Sequence, residues 1–454
     1  MKIAITGASG FIGQKLIQTL ANTEHNVLAL SRSPIVSLPS NAEWRYCELF
    51  STQSTLEALE EIDLVFYLVH SMLPSSRLFQ GDFHDTDLLI ADNIAKACIA
   101  NKVKKIVYLG GIIPEGFISQ HLQSREEVEG VLKATEIDVT VFRSGMIVGE
   151  GGSSFEILRS LMLRLPMMIL PKWTKRKTQA IHLDDVVRTL QESIQNTAYS
   201  NQTIDLVNGE SLCYEDLMRK MAKALKLRRI MIPVPINSTG FSKLWVTWFG
   251  KSHYSLVSPL IDSLACDLPQ VQPNALIAKN IKFKTFDQML TSVLSSSFQP
   301  KEKTKRSTIH KKNVRSIQRL PSLPVKDSDW IAREYMNWLP KVFKSVIKVD
   351  VDKESHKVGF RLFFMKRPLL LLQFIEGKYD EDRQKFHIVG GILTSTNDTG
   401  WLEFRQIQNK KYTLTAIHEF VPSLPWYIYV ISQAPMHRMV MNAFGRHLVQ
   451  YQKG

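Results

Sequence analysis

The sequence is poor in cysteine. Four cysteines occur in 454 residues, at positions 47, 98, 213 and 266, and no two of them form a C-x-x-C pair. This spacing argues against a disulfide framework and a cysteine-rich zinc site, and it predicts reduced, buried thiols in a cytoplasmic protein. No His, Cys and carboxylate cluster has metal-site spacing, so no metal is expected.

Long apolar runs are also missing. No run reaches the roughly 18 residues needed to span a membrane, and the chain opens directly on a strand, so we expect neither a membrane-spanning helix nor a signal peptide. A G-x-S-x-G nucleophile elbow and a Walker phosphate loop are absent as well. The hydrophobic content of 44% and the charged content of 22% are typical of globular proteins, and the length predicts two or three domains.

The feature that is present is a glycine turn at the start. The apolar run Ile3–Ile5 predicts a buried parallel strand, a G-x-x-G-x-x-G segment follows it, and apolar residues at helical spacing come next. Glycines at these places permit a tight turn, close approach of a pyrophosphate and close helix packing, while the helix N-terminus offers free amides. The alternative is a tight turn that binds nothing. The candidate nucleotide contacts are Gly7, Ser9, Gly10, Phe11, Ile12 and Gly13.

Strands and helices alternate through the first 150 residues, which predicts an α/β, Rossmann-type doubly wound parallel sheet. Strands are predicted at 26–30, 63–69, 105–109 and 139–143, and helices at 85–101 and 122–134. Because ligands bind beyond the carboxyl ends of such strands, His70, Ser71 and Gly110 are further cofactor candidates.

The end of the second predicted strand favours NADP over NAD. Ser31 and Arg32 follow this strand, and no Asp or Glu occupies positions 29–33. A carboxylate there would bind the 2′-OH of NAD, whereas an arginine accommodates the 2′-phosphate of NADP. NAD remains possible, and the simpler alternative is that Arg32 is only solvated.

Residues 205–298 complete a predicted domain 1–298 as a mostly helical region that covers the substrate side. Trp245, Trp248 and Phe249 lie close together in it, which suggests a small apolar ligand. Before it, 181–187 is predicted as a strand end that turns into a helix capped by Asp184.

Positive charge is concentrated in the last third of the chain. Residues 301–454 contain 27 basic and 14 acidic side chains, which accounts for nearly all of the net charge of +14. We predict a basic linker at 299–326. Nucleic acid is not an expected partner; peripheral contact with an anionic membrane through this linker and Trp426–Tyr429 stays open. No feature indicates an oligomeric state.

The region 327–454 is predicted to be an α+β domain. Segments such as 401–405 and 412–420 alternate apolar with polar residues, which is typical of half-buried antiparallel strands. A long helix is predicted at 434–451.

The segments 6–13 (T-G-A-S-G-F-I-G) and 181–186 (I-H-L-D-D-V) resemble motifs of the extended and atypical short-chain dehydrogenase/reductases. The segments 68–72 and 143–149 resemble a narrower group, the bacterial two-domain NAD(P)H-binding proteins of the NmrA-like branch. That resemblance implies an epimerase/dehydratase-like cofactor domain followed by a small domain of the SRPBCC/START helix-grip type.

The chain departs from this family at the catalytic positions. Active members use a serine after the fifth strand and a Tyr-x-x-x-Lys pair on the next helix. This chain has Gly110 and Gly111 at the serine position, and His121 and Arg125 at the spacing of the pair. Three interpretations stay open: His121 is a substitute acid–base, Arg125 binds the nicotinamide ribose or a substrate carboxylate, or both lie on a helix without chemistry.

Two functions follow from these features. The first is an NADP(H)-dependent oxidoreductase that acts on an apolar carbonyl or quinone-like molecule. The second is a non-catalytic NAD(P)H-binding redox sensor, regulator or assembly factor, which the missing Ser-Tyr-Lys set favours.

Overall fold

The computed structural model describes residues 1–71, 78–236, 239–240, 243, 254–295, 313–342, 347–352, 356–374, 382–395 and 400–452. The chain divides into two compact units, which are described separately. The nucleotide unit comprises residues 1–73 and 90–307, and the sheet unit comprises residues 74–89 and 308–454.

The nucleotide unit contains a seven-stranded sheet in which every pairing is parallel. Across the sheet, the strands are Thr203–Leu206, Asp138–Ser144, Lys105–Gly111, Leu64–Tyr67, Lys2–Thr6, Asn26–Ser31 and Ala42–Tyr46. The predicted doubly wound sheet is therefore confirmed. The strand order reverses between Lys2–Thr6 and Leu64–Tyr67, and such a switch point leaves a crevice at the carboxyl ends of the strands.

The central strands are buried on both faces because they consist almost entirely of apolar residues. Ile3, Ile5 and Phe66 have no exposed surface, and they pack against Leu16 and Val186 of flanking helices. This continuous apolar sequence is what a parallel sheet covered by helices requires. The helices are Phe11–Thr19, Thr52–Ala58, Phe83–Ala100, Gln120–Lys133, Ser153–Arg164, Leu183–Glu192, Tyr214–Ala224, Tyr254–Leu264, Ala275–Ala278 and Phe286–Ser295.

Three two-stranded sheets build the region beyond the main sheet. Met146–Val148 pairs in parallel with Ala180–His182, Met167–Leu170 pairs in parallel with Ile230–Pro233, and Lys177–Thr178 pairs antiparallel with Leu212–Cys213.

The predicted cap of the helix Leu183–Glu192 is wrong by two residues. The N-cap is His182, whose Nδ1 accepts a hydrogen bond from the amide of Asp184 at 3.1 Å. The carboxylate of Asp184 instead pairs with Lys15 and Lys284, each at 3.1 Å.

The described part of the sheet unit contains an eight-stranded sheet and helices that pack on it, which confirms the predicted α+β class. Its strand order is Ile347–Asp352, Lys357–Leu362, Leu370–Phe374, Arg383–Gly390, Gly400–Ile407, Tyr412–Phe420, Val314–Leu320 and Leu78–Gln80. All pairings are antiparallel except the last. The helices are Ser328–Val342, Trp426–Ile431 and Gln433–Leu448.

Aromatic side chains fill the core between these helices and the sheet. Tyr335 and Trp338 of one helix meet Phe444 of another at ring-centroid distances of 5.0 and 5.2 Å, and Tyr335 also contacts Phe404 of the sheet. Trp426–Tyr429, which the sequence left open as a membrane contact, begins a helix in which Tyr429 is buried in this core.

Two predicted boundaries need correction. Residues 74–89 cluster with the sheet unit rather than with 1–298, because Leu78–Gln80 pairs in parallel with Val314–Ser316. Part of the predicted linker 299–326 is the strand Val314–Leu320, which is stabilised by distant carboxylates: Arg315 pairs with Glu419 and Arg319 with Asp85.

Several predicted features lie outside the described residues, namely Met72, Trp245, Trp248, Phe249 and the basic stretch 301–312. Among the helices that are described, none combines the length and apolar character needed to cross a membrane.

Candidate functional site

The glycine turn has the geometry that its sequence predicts. Gly7 adopts a φ of +71°, and the amide of Gly10 donates to the carbonyl oxygen of Gly7 at 2.8 Å. A Cβ on Gly13 would lie 2.4 Å from that same oxygen and 2.9 Å from the Cα of Ala8. Only glycine therefore fits at position 13, where the first helix packs onto the turn.

Thr6 holds this turn beside the loop at the switch point. Its buried hydroxyl donates to the carbonyl of Phe66 at 3.1 Å and accepts from the amide of Leu68 at 3.2 Å. A Cβ on Gly7 would lie 3.1 Å from the carbonyl oxygen of Leu68. The ends of two neighbouring strands are thus fixed together at the crevice.

The helix that begins at Phe11 is suited to an anion. Its N-cap is Gly10, no side chain caps it, and its first turn contains no acidic residue. Amides of the first turn have no partner within a helix, and together with the helix dipole they attract phosphate. The turn and the helix therefore fit the pyrophosphate of a dinucleotide.

Ser31 and Arg32 lie where the second strand ends. The hydroxyl of Ser31 accepts from the indole of Trp44 at 3.0 Å and donates to the carbonyl of Ser33. This bonding positions the chain around Ser31, and the side chain of Arg32 is exposed next to it.

A cavity of about 270 Å³ opens at the carboxyl ends of the central strands. Its walls come from the glycine helix, from the ends of two strands and from the helix Gln120–Lys133. The predicted residues that line it are Phe11, Ile12, Gly110, His121 and Arg125. Residues that were predicted from separate parts of the sequence therefore line one cavity.

His121 is paired with a second predicted residue, His70. The Nε2 of His70 lies 3.0 Å from the Nδ1 of His121, a distance at which one ring nitrogen donates and the other accepts. Burial lowers the pKa of His121 well below its usual value, and the charges of His70 and Arg125 lower it further. His121 is consequently neutral at pH 7.

Arg125 lies one helical turn after His121 and also lines the cavity. Its guanidinium reaches the carbonyl of Leu109 at 3.4 Å, and its own carbonyl accepts from Tyr108 at 3.3 Å. Gly111 accommodates this helix, since a Cβ there would lie 3.0 Å from Leu122.

The remaining predicted contacts lie at the edges of the site. Gly7, Gly10 and Gly13 shape the turn, and Ser9 is exposed, with its carbonyl oxygen accepting from the side-chain Nε2 of Gln14 at 3.3 Å. Ser71 follows His70 directly and is half-buried. Ser31 and Arg32 do not line the cavity; they lie at the end of the neighbouring strand.

Sequence reasoning missed the far wall of the cavity. The missed lining residues are Leu68, Leu109, Gly111, Ile112, Leu122, Ser144, Gly145, Met146, Ile147, Gly152, Ser153, Ser154, Tyr214, Leu260, Ser263, Leu264 and Leu268. The segment 144–147 follows a strand directly, so the carboxyl-end rule could have found it. Tyr214 and Leu260 come from distant helices and carry no comparable signal.

One group of side chains in the sheet unit has ligand atoms at metal-binding distance, within 4.8 Å of one another: Asp82, His84 and Asp85. The carboxylate of Asp85 already pairs with Arg319 at 2.8 Å and with His84 at 3.2 Å. This pairing explains the cluster without a metal.

Comparison with known proteins finds a similarity in the N-terminal part of the chain. Residues 3–128 match the NAD dependent epimerase/dehydratase family. The chain is 28% identical over 112 residues to the auxiliary protein GraX of Staphylococcus aureus, which covers 24% of this chain and 36% of that protein. It is 32% identical over 111 residues to a 2-alkyl-3-oxoalkanoate reductase of Stenotrophomonas maltophilia. That match covers 24% of this chain and 32% of the reductase. The chain thus spans about a third of the length of these curated relatives.

Solved structures share the fold. A nucleoside-diphosphate-sugar epimerase from Staphylococcus aureus has a TM-score of 0.51 and 18% identity, covering 64% of this chain and 99% of its own. The triphenylmethane reductase of Citrobacter sp. has a TM-score of 0.52 and 17% identity, and the match covers 65% of this chain and 99% of the reductase. That reductase has also been solved with NADP(H). Residues 3–128 therefore match the model of the NAD dependent epimerase/dehydratase family, and the chain shares the fold of these solved structures.

Proposed function

We propose that the nucleotide unit is an NADP(H)-dependent oxidoreductase that interconverts an apolar carbonyl compound and its alcohol. One observation carries this proposal: the cavity reaches from the glycine helix, at Phe11 and Ile12, to His121 and Arg125. A nucleotide on the glycine turn and a substrate beside His121 would therefore share one space. The name of the similar 2-alkyl-3-oxoalkanoate reductase agrees with this class of reaction.

NADP(H) is the cofactor that the residues favour. Gly10 has no Cβ to block a pyrophosphate, Gly13 lets the helix pack closely on the turn, and Arg32 follows a strand end without a carboxylate. When bound, NADPH supplies the hydride.

His121 would move the proton. In the reducing direction, its Nε2–H donates to the substrate oxygen while its Nδ1 receives the proton of the His70 Nε2. His70 takes a proton from water at its Nδ1 in the same step, so that its ring stays neutral. In the oxidising direction, neutral His121 accepts the alcohol proton at Nε2 and passes its Nδ1 proton to His70. Its lowered pKa keeps this base available below pH 6.5.

The first test is a fluorescence titration of the full-length protein with NADPH and with NADH. We expect NADPH to bind at least tenfold more tightly, and Arg32→Ala to remove the preference. Hydride transfer is then followed at the nicotinamide absorbance with a panel of apolar ketones and quinones. His121→Ala should lower turnover at least tenfold, and an unchanged rate would remove His121 from the mechanism.

A second function is a redox sensor, regulator or assembly factor that binds NADP(H) without turnover. Gly110 and Gly111 favour it, because they place no hydroxyl at the serine position. Tight NADPH binding without hydride transfer to any panel member, together with partners that change when NADPH is added, would support this alternative.

We also infer a helix-grip relationship for the sheet unit. The helix Gln433–Leu448 packs on the antiparallel sheet through Met441 and Phe444, the arrangement that the SRPBCC/START resemblance implies. A solved helix-grip domain that superimposes on residues 313–452 would support this inference.

A further inference from the structure

The guanidinium of Arg125 lines the cavity without a carboxylate partner. Among the described residues it forms no ion pair, its Nε is buried without a hydrogen-bond partner, and its one side-chain bond is the long one to Leu109. Arg143, on the neighbouring strand, is different. It pairs with Glu129 through two hydrogen bonds of 2.8 and 2.9 Å.

An arginine in this position favours an anionic ligand. The guanidinium stays charged in proteins. Burial removes part of its hydration, and pairing with a counter-ion compensates for that loss. Its planar donors match a carboxylate through two parallel hydrogen bonds. His121, one helical turn before Arg125, is neutral and does not supply that counter-ion.

A second, apolar chamber adjoins the cavity. It has a volume of about 60 Å³, and its own walls include Leu158, Leu161, Trp173, Met218 and Ile261. It shares further lining residues with the main cavity, namely Met146, Ser154, Tyr214, Leu260 and Leu264. A chamber with such walls favours a short alkyl chain over water, since buried water needs polar partners.

We propose that the substrate is an amphiphilic carboxylic acid, whose carboxylate pairs with Arg125 and whose short alkyl chain enters the apolar chamber. The proposal rests on the proposed function, since it places this acid beside the hydride-transfer site. An anion on Arg125 has two possible sources, a substrate carboxylate or a phosphate of the cofactor, and the experiment separates them.

The experiment is a calorimetric titration of the full-length protein with hexanoate, hexanol and hexylamine, with and without saturating NADP⁺. We expect hexanoate to bind at least tenfold more tightly than hexanol, and hexylamine to bind weakest. This ligand series needs no variant, so it stays informative whatever the variants do. Equal binding of hexanoate and hexanol would overturn the proposal.

Variants then locate the two ends of the ligand. Arg125→Gln should weaken hexanoate at least tenfold, and the matched control Arg219→Gln, whose exposed side chain pairs with Glu215, should not. Met218→Trp should fill the chamber and weaken hexanoate while leaving acetate unchanged. A loss of NADP⁺ affinity in Arg125→Gln with unchanged hexanoate binding would assign the anion to the cofactor and overturn the proposal.

The two proposals fail separately. If neither coenzyme binds, the proposed oxidoreductase function fails, while the hexanoate series without NADP⁺ still reports on the carboxylate site. If NADPH binds and transfers hydride but hexanoate shows no preference over hexanol, only the substrate class fails.

Discussion

The arginine in the cavity of the nucleotide unit differs from the buried arginines of the sheet unit in its carboxylate partners. In the nucleotide unit, Arg125 lines a cavity and forms no ion pair with a carboxylate among the residues that the structure describes. In the sheet unit, Glu403 is fully buried and holds Arg383 at 2.8 Å, Arg405 at 3.2 Å and His418 at 3.1 Å. These arginines lower the pKa of Glu403 well below its usual value, against the effect of burial. An arginine that pairs with a carboxylate stabilises the fold, whereas an arginine without such a partner can bind an anionic ligand.

The largest loss of stability should come from removing the buried carboxylate of Glu403. Glu403→Gln leaves two buried guanidinium groups without their counter-ion, and breaking a buried pair costs about 3–5 kcal/mol. We expect the free energy of unfolding of the sheet unit, measured by urea denaturation, to fall by that amount.

The control for this prediction is Asp350→Asn. Asp350 pairs with Arg361 at 3.2 Å, and its side chain is 57% exposed, so its replacement should lower the free energy of unfolding far less. Equal losses in the two variants would mean that burial does not distinguish the two pairs, and the contrast with Arg125 would lose its basis.

The next effect concerns the glycine turn. Gly13→Ala places a Cβ against the carbonyl oxygen of Gly7, and such overpacking costs about 1–3 kcal/mol. Because the turn must shift to relieve this contact, NADPH affinity should fall at least tenfold in a fluorescence titration. Unchanged affinity would show that the nucleotide does not depend on this turn.

A third prediction concerns acid stability of the sheet unit. Burial lowers the pKa of His437 from 6.5 to about 4. Above pH 6.5 His437 is neutral in both states, and its contribution to stability is fully present. As the pH falls below 6.5, His437 becomes protonated in the unfolded chain, whereas in the folded protein it stays neutral until about pH 4. The contribution of His437 to stability is therefore lost between pH 6.5 and about pH 4.

Each unit of pKa shift corresponds to about 1.4 kcal/mol, and partial solvation of the site reduces the effect, so we expect a loss on the order of 1–2 kcal/mol. His437→Gln should flatten the dependence of the urea midpoint on pH between 7 and 4, and His387→Gln should leave it in place. A dependence that survives His437→Gln would have to come from other groups such as His418.

The units also differ in how far their sequences predicted them. In the nucleotide unit, continuous apolar strands and the spacing of Gly7, Gly10 and Gly13 act locally, so the sheet, the turn and one side of the cavity were predictable. The walls around Tyr214 and Leu260 depend on packing between distant helices, which no local pattern records. In the sheet unit, the strand Val314–Leu320 was hidden in a basic run, because the carboxylates that pair with its arginines are more than 100 residues away.

The smallest predicted effect comes from a glycine-to-alanine substitution in the sheet unit. Gly445 lies inside the helix Gln433–Leu448, and a Cβ there would meet the Cδ of Pro321 at 3.5 Å, an ordinary van der Waals distance. Gly445→Ala should therefore stabilise the protein by about 0.5–1 kcal/mol, because alanine restricts the unfolded chain more than glycine does. The thermal midpoint of this variant should rise, and that of Gly13→Ala should fall. A decrease in both would mean that the helix near Gly445 tolerates no added methyl group, whereas opposite signs would tie the glycine requirement to the nucleotide turn alone.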